Sequence, residues 1–252
     1  MEQLAGKNAK RLLVEVVAIV LSILLAFSID AWWDERKERA DEREVLASLY
    51  VEFEANRLEA ADVILAHEAA VQSVASLLQM SDDQILALSE EAVGQHIRFF
   101  ANPRTFDAVR GTVDALTSSG KLGILRNREL RAALTTFVNI LEDAAEDREY
   151  LSQTSMTVWN EMVKSGGPWR TRRGGITAED CVGPHPHRNC YVNDWTSYLP
   201  TATSQDLLRL RNNPVLMGYV NRNKINAVRY AAEVRQAEIQ IGIILQLLAD
   251  NH

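Results

Sequence analysis

Hydrophobic and polar positions are arranged in three ways along this chain, and the first is a plain apolar run. Residues 12–33 read LLVEVVAIVLSILLAFSIDAWW, and the 18 residues from Leu12 to Ile29 include one carboxylate, Glu15. At about 1.5 Å per residue these form roughly 27 Å of helix, close to the hydrocarbon thickness of a bilayer. Lys7, Lys10 and Arg11 stand before the run. Trp32 and Trp33 stand after it, where amphipathic indoles favour the headgroup level. The pattern predicts a short N-terminus at 1–11 and one transmembrane helix at 12–33.

The second arrangement is a block of charge. Residues 34–44 read DERKERADERE, and Glu35/Arg39 and Lys37/Asp41 lie four apart, where opposite charges meet on a helix surface. A solvated helical neck is the plain reading of such a block. The third arrangement is helical periodicity. Val45, Leu49, Phe53, Asn56 and Ala60 follow it, then Val63, Leu65, Val71, Val74, Leu77 and Leu78. One helix is therefore expected from about residue 11 to about residue 79.

Stop and start signals divide the rest of the chain. Ser81 and Gln84 fit a capping box, and Ser89-Glu90-Glu91 restarts a helix that Asn102-Pro103 ends. A further helix is expected over Thr105–Ser119, closed by Gly120 in the left-handed conformation. Asn127 caps a long helix with Leu130, Leu134, Phe137, Val138, Leu141, Leu151, Val158, Trp159 and Met162 on its stripe. Residues 165–203 hold four of the six prolines and five of the twelve glycines and read as one irregular loop. Ser204 caps a short helix, and Asn213-Pro214 opens the last one, with proline at its tolerated first position. That helix carries Leu216, Tyr219, Ile225, Val228, Val234, Ile239, Ile243 and Leu247. Its final apolar stretch is too short to span a bilayer and reads as a buried end. The expected fold class is all-α: a transmembrane helix continuous with the long helix of an antiparallel bundle at 34–252.

Charge and cysteine usage narrow the setting. The formal net charge is -7, so no basic field invites nucleic acid. A basic start before an apolar run also describes a cleaved secretory signal, with Ala26-Phe27-Ser28 as its cut site. The length of the run, its carboxylate and its direct passage into the charged neck favour an uncleaved anchor. Lys/Arg counts on the two flanks nearly balance, so they leave the orientation open. Cys181 and Cys190, the only cysteines, bracket the short segment CVGPHPHRNC. Persistent disulfides belong to oxidising compartments such as the bacterial periplasm. A disulfide-pinned loop, a cytosolic N-terminus and an exported C-terminal domain at a bacterial inner membrane fit together.

The segment from Glu15 to Glu44, with Ile23, Leu24, Ala26, Ile29, Asp30, Trp33, Glu35, Arg36 and Lys37, resembles the anchor motif of a family of uncharacterised bacterial membrane proteins. The stretch Thr105–Leu134 is similar to a second segment of that family. The resemblance implies a single N-terminal span and a helical body, and no chemistry.

Candidate chemistry is sparse. Glu15 and Asp30 bracket the span, and a carboxylate at such a depth is a functional candidate. Pairing with Arg11, four residues earlier, is the plain alternative for Glu15. His185 and His187 with the two cysteines offer four zinc donors, but the spacing matches no usual finger, and the disulfide is the stronger reading. Arg170, Arg172, Arg173 and Arg188 make the loop basic, as a contact for an anionic partner or as a solvated surface. His67 and His96 read as surface or boundary residues. No phosphate loop, nucleophile elbow or His-Glu-x-x-His helix occurs. The expectation is a non-enzymatic membrane protein without cofactor, acting as scaffold, sensor or accessory subunit through a homo-oligomer or a membrane-protein partner. Two alternatives stand: a transport or channel subunit using Glu15, and a metal-binding protein or metalloenzyme at Cys181/His185/His187/Cys190.

Overall fold

A computed structural model of the chain describes residues 2–100, 104–165 and 202–250, with side-chain surroundings from residue 19 onward. Among these residues there are seven α-helices and no strand: α1 (Glu2–Gln79), α2 (Asp82–Leu86), α3 (Glu90–Phe100), α4 (Gly111–Ser118), α5 (Arg128–Lys164), α6 (Ser204–Arg211) and α7 (Pro214–Ala249). A 3-10 turn, Lys121–Ile124, joins α4 to α5. The described part of the chain is all-α, as its periodicity predicts.

Helix ends follow the local chemistry of the sequence. Ser81 and Gln84 form the expected reciprocal capping box of α2. Asn127 caps α5 through the amides of Glu129 and Leu130, and Asn213 caps α7 with Pro214 in its first turn. Gly120 takes φ 67°, the left-handed conformation that ends α4 without strain on a Cβ. The cap of α6 differs by one residue. Thr203, rather than Ser204, forms a capping box with Asp206.

Three long helices carry the core, and α7 is the middle one. Along α1 the partners on α7 recede as α1 advances: Glu68 meets Arg235, and further on Val71 and Val74 share a recess with Asn223 and Ala227. Along α5 the same inversion runs from Ala133 with Gln240 to Thr154 with Asn223. So α7 is antiparallel to both α1 and α5, and these two run parallel to each other. A parallel pair needs a long return, which residues 80–127 supply. Two apolar clusters result. One, nearer the N-terminal end of the bundle, joins Leu49, Phe53, Phe137, Tyr230 and Ile241; Phe53 and Phe137 meet edge to face at 4.9 Å. The other, at the far end, joins Leu77, Ile85, Phe100, Met162 and Leu216.

Several stripe positions face the other way from the expectation. Leu65, Leu78, Trp159, Ile225, Val228, Ile239 and Ile243 are exposed. The inward face of α7 is instead Leu216, Val220, Asn223, Ala227, Tyr230, Val234, Ala237, Ile241, Ile244 and Leu248. These recur every three or four residues, as a face packed between two helices requires. The helix expected over Thr105–Ser119 is also shorter. Residues 104–110 are non-helical and α4 begins at Gly111, because side chains from α1 and α7 take up this segment's backbone groups.

Candidate functional site

Helix α1 divides into two halves with opposite surroundings. From Ile19 to Ala40 every residue is exposed, and its inward face first closes at Leu46. The exposed half includes Ile19, Val20, Leu21, Ile23, Leu24, Leu25, Phe27 and Ile29, with Phe27 at 66%. By length and composition this helix is apolar enough to cross a membrane. Trp32 and Trp33 end the apolar part and meet edge to face, 5.4 Å between centroids. The Arg36 guanidinium lies over the Trp32 ring at 5.5 Å, a cation–π contact that starts the charged neck. Asp30 is exposed on the same free half.

The neck is tied at one place to the bundle. Arg126, at the end of the return segment, points into three carboxylates of α1: Glu42 at 3.6 Å, Glu35 at 3.7 Å and Glu38 at 3.9 Å. Its backbone amide also donates to Glu42 at 2.6 Å. Glu35 pairs with Arg39 as the four-residue spacing predicts, and that hydrogen bond holds the Glu35 carboxyl below its ordinary range. The neck is thus solvated on most sides, with one docked edge that the charge pattern alone does not show.

Above the neck the buried half of α1 carries polar residues inward at Glu52, Asn56 and His67. All three bind the backbone of the strap, residues 104–113. Asn56 reads both backbone groups of Val109, donating to its carbonyl at 2.8 Å and accepting from its amide at 2.7 Å. Glu52 accepts from Thr112 N–H at 2.8 Å and Val113 N–H at 3.4 Å. Arg110, the N-cap residue of α4, supplies no side-chain cap, so a carboxylate from α1 does that work. From α7, the Tyr230 hydroxyl accepts from Phe106 N–H at 2.7 Å. Burial pushes the Tyr230 phenol up to about 12, so it stays neutral.

His67 closes the ladder. It is 0% exposed, and its Nε2 lies 2.8 Å from the Arg104 carbonyl. A carbonyl only accepts, so Nε2 carries the proton and Nδ1 is left as a lone pair. Nδ1 is buried without a hydrogen-bond partner. Burial is the largest influence on this imidazole and pushes its pKa down. The surface or boundary position expected for His67 is therefore corrected: it is a core residue, placed there by the register Phe53–Asn56–Ala60–Val63–His67. His96 is half-buried, with Nδ1 2.7 Å from the Ser73 hydroxyl.

Asn223 makes a second polar knot. It donates to the Phe100 carbonyl at 3.2 Å and accepts from Thr154 at 2.9 Å and Ser155 at 3.1 Å, joining α3, α5 and α7. Beside it a recess lined by Val71, Val74, Phe99 and Asn223 has about 10 Å³. That is room for about one water rather than for a ligand.

The remaining sequence-predicted residues fall elsewhere. Glu15 lies on α1, in the part whose side-chain surroundings are not described. Cys181, Cys190, His185, His187, Arg170, Arg172, Arg173 and Arg188 all lie outside the described residues. Among the described residues no group of three or more His, Cys, Asp or Glu is arranged to hold a metal ion. The residues that sequence reasoning missed are Glu52, His67, Asn223 and Tyr230; Asn56 stood on the apolar stripe, and that polar interruption was the one signal. Comparison with family models, with curated proteins and with solved structures found no match.

Proposed function

We propose that this protein is a single-span membrane protein whose helical bundle works outside the cytosol by holding partners. Residues 12–33 form the span and the neck lifts the bundle off the headgroups. The observation that carries this reading is the continuity of α1 from an uncovered apolar half into the core of the bundle. An apolar helix exposed on all sides is costly in water and stable in hydrocarbon. The anchor motif's resemblance to bacterial membrane proteins supports the same topology. Export of the bundle rests on Cys181 and Cys190, whose pairing as a disulfide suits an oxidising periplasm.

The mode of action we infer is recognition without catalysis: scaffold, sensor or accessory subunit. Its support is the use made of the buried polar groups. Glu52, Asn56, His67 and Tyr230 are all engaged with backbone groups of the strap, so they work as structural clamps. A rigid rod of 78 residues, about 117 Å long, suits transmission of position from the bilayer to a distant face. Exposed Val51, Leu58 and Leu65, seven apart on α1, offer a row where a copy or a membrane partner can pack.

Alkaline carbonate extraction of membranes, followed by N-terminal sequencing of the pelleted chain, tests the anchor. The expected result is a chain retained in the pellet with residues 12–33 intact. Release into the supernatant, or a mature chain beginning after Ser28, overturns it.

A further inference from the structure

The polar clamps on the strap all take its backbone groups, and one of them is a titratable imidazole. Neutral His67 suits its place: Nε2–H reaches the Arg104 carbonyl, and Nδ1 needs no donor opposite it. A second proton would sit on Nδ1, where the described residues supply no acceptor. An N–H buried without a partner, on a ring that has become cationic, is among the costlier states a core can hold. Around the His67–Tyr230 pair the charged groups come from five elements, α7 among them through Arg235, which pairs with Glu68 of α1. Asp62 and Glu59 lie on α1, Arg104 and Asp107 on the strap, Arg148 on α5 and Arg98 on α3. Asp62 faces Arg104 at 3.9 Å and Asp107 faces Arg148 at 3.7 Å, so these acids already answer other cations. The charge that bears on His67 itself is the Arg104 guanidinium, which opposes a second cation. Tyr230 contributes its ring, edge to face at 5.6 Å, and no negative charge.

We propose that the strap, residues 104–113, is an acid-released element, and that His67 is the residue through which acid releases it. Its first clamp fails when the imidazole takes a second proton, and the chain from Arg104 towards Val109 then loses its upper fixing. The opening begins at the Arg104 end and runs through the Tyr230 clamp at Phe106 and the Asn56 clamp at Val109, while Glu52 still holds the first turn of α4. This inference depends on the packing of the bundle and stands whether or not the span is in a membrane.

The direction in pH is set by linkage. The folded imidazole is held below the value of about 6.5 that it takes in an open chain. The open strap therefore binds more protons than the closed one. Closure is fully stabilised above about pH 6.5 and weakens as the pH falls below that towards the folded value.

Hydrogen exchange of the full chain in detergent, corrected for intrinsic rates, reads this at the amides of Phe106 and Val109. Between pH 7.5 and pH 5.5 their protection should fall by up to about tenfold, which is one pH unit of linkage below an open-chain value of 6.5. Amides in the middle of α5 and α7 should hold theirs. In His67→Gln, whose amide can still donate to the Arg104 carbonyl, protection should become flat over the same range. His96→Gln should keep the wild-type profile. Equal pH dependence in His67→Gln, or no fall at the strap in the wild type, overturns the proposal. Where His67→Gln does not fold, NMR titration of the His67 ring in the wild type decides: a midpoint below 6.5 sustains the proposal, and one at or above 6.5 overturns it.

Discussion

Below Leu46, α1 is uncovered apart from the Arg126 contacts, apolar over 19–29 and charged over 34–44; above it, the same helix is gripped on one face by α7, α3 and the strap. The backbone is one uninterrupted α-helix through both halves. What changes is the solvent each half is written for. In the free half apolar residues occupy every side, a distribution that suits the proposed span. In the gripped half they are confined to a stripe, and polar residues break into that stripe where another segment's backbone must be met. A helix's surroundings are thus encoded in how its apolar positions are distributed around it, whatever their number. Damage to one half should then leave the other intact.

The largest expected effect comes from the free half. Val20→Arg with Leu21→Arg places two cations near the middle of the proposed span. Each costs roughly 2.5–3.5 kcal/mol on insertion scales, so the pair should abolish anchoring. Carbonate extraction should move the chain from pellet to supernatant, while the thermal midpoint of the bundle stays put. A matched loss of bundle stability would break the division between halves.

The gripped half should respond in the opposite way. Phe53 is fully buried against Phe137, and Phe53→Ala should cost about 3–5 kcal/mol of bundle stability in a denaturant melt, with anchoring unchanged. Asn56→Ala removes a side chain that answers two backbone groups of Val109. A cost of about 1–3 kcal/mol is expected, with exchange protection lost first at Val109. Leu58→Ala, on the exposed side of the same turns of helix, should change stability by no more than about 0.5 kcal/mol. If Leu58 and Phe53 gave equal losses, the stripe assignment on α1 would be wrong.

These contrasts also mark how much of the fold was legible in the sequence. Caps were readable because their chemistry is local: Ser81 with Gln84, Asn127, and Asn213 before Pro214 each satisfy amides within three residues. The free half of α1 was readable because its apolar run has no competing face. The inward face of α7 was not, because both faces are apolar. Its buried side uses Ala227, Ala231 and Ala237, whose small side chains let helices approach, while isoleucines at 225, 239 and 243 stand outside. Hydrophobicity alone then favours the wrong side. The strap was hidden for another reason. Its local sequence suits a helix, and what holds it open are Asn56, Glu52, His67 and Tyr230, between 37 and 124 residues away in the chain. Long-range hydrogen bonds of that kind leave only one trace, a polar residue at a core register, and Asn56 was that trace.

The smallest effect should be found where the two halves meet. The Arg126 side chain reaches Glu35, Glu38 and Glu42 across about two turns of the neck through contacts of 3.6–3.9 Å, open to solvent except at Glu42, which the Arg126 amide also holds. Exposed pairs of this kind add little to folding and weaken as salt screens them. Arg126→Ala should therefore leave the bundle's unfolding midpoint where it was. Its effect should appear in the orientation of the neck, because Arg126 is a side-chain link from the return segment to the helix below Leu46. A spin label at Ala40 paired with one at Arg128 should report a broader distance distribution in Arg126→Ala than in the wild type. The same broadening should appear in the wild type at high salt. A distribution unchanged by both would mean that α1, with the Arg126 amide on Glu42, sets the neck's direction, and that Glu35 and Glu38 are no more than a solvated face.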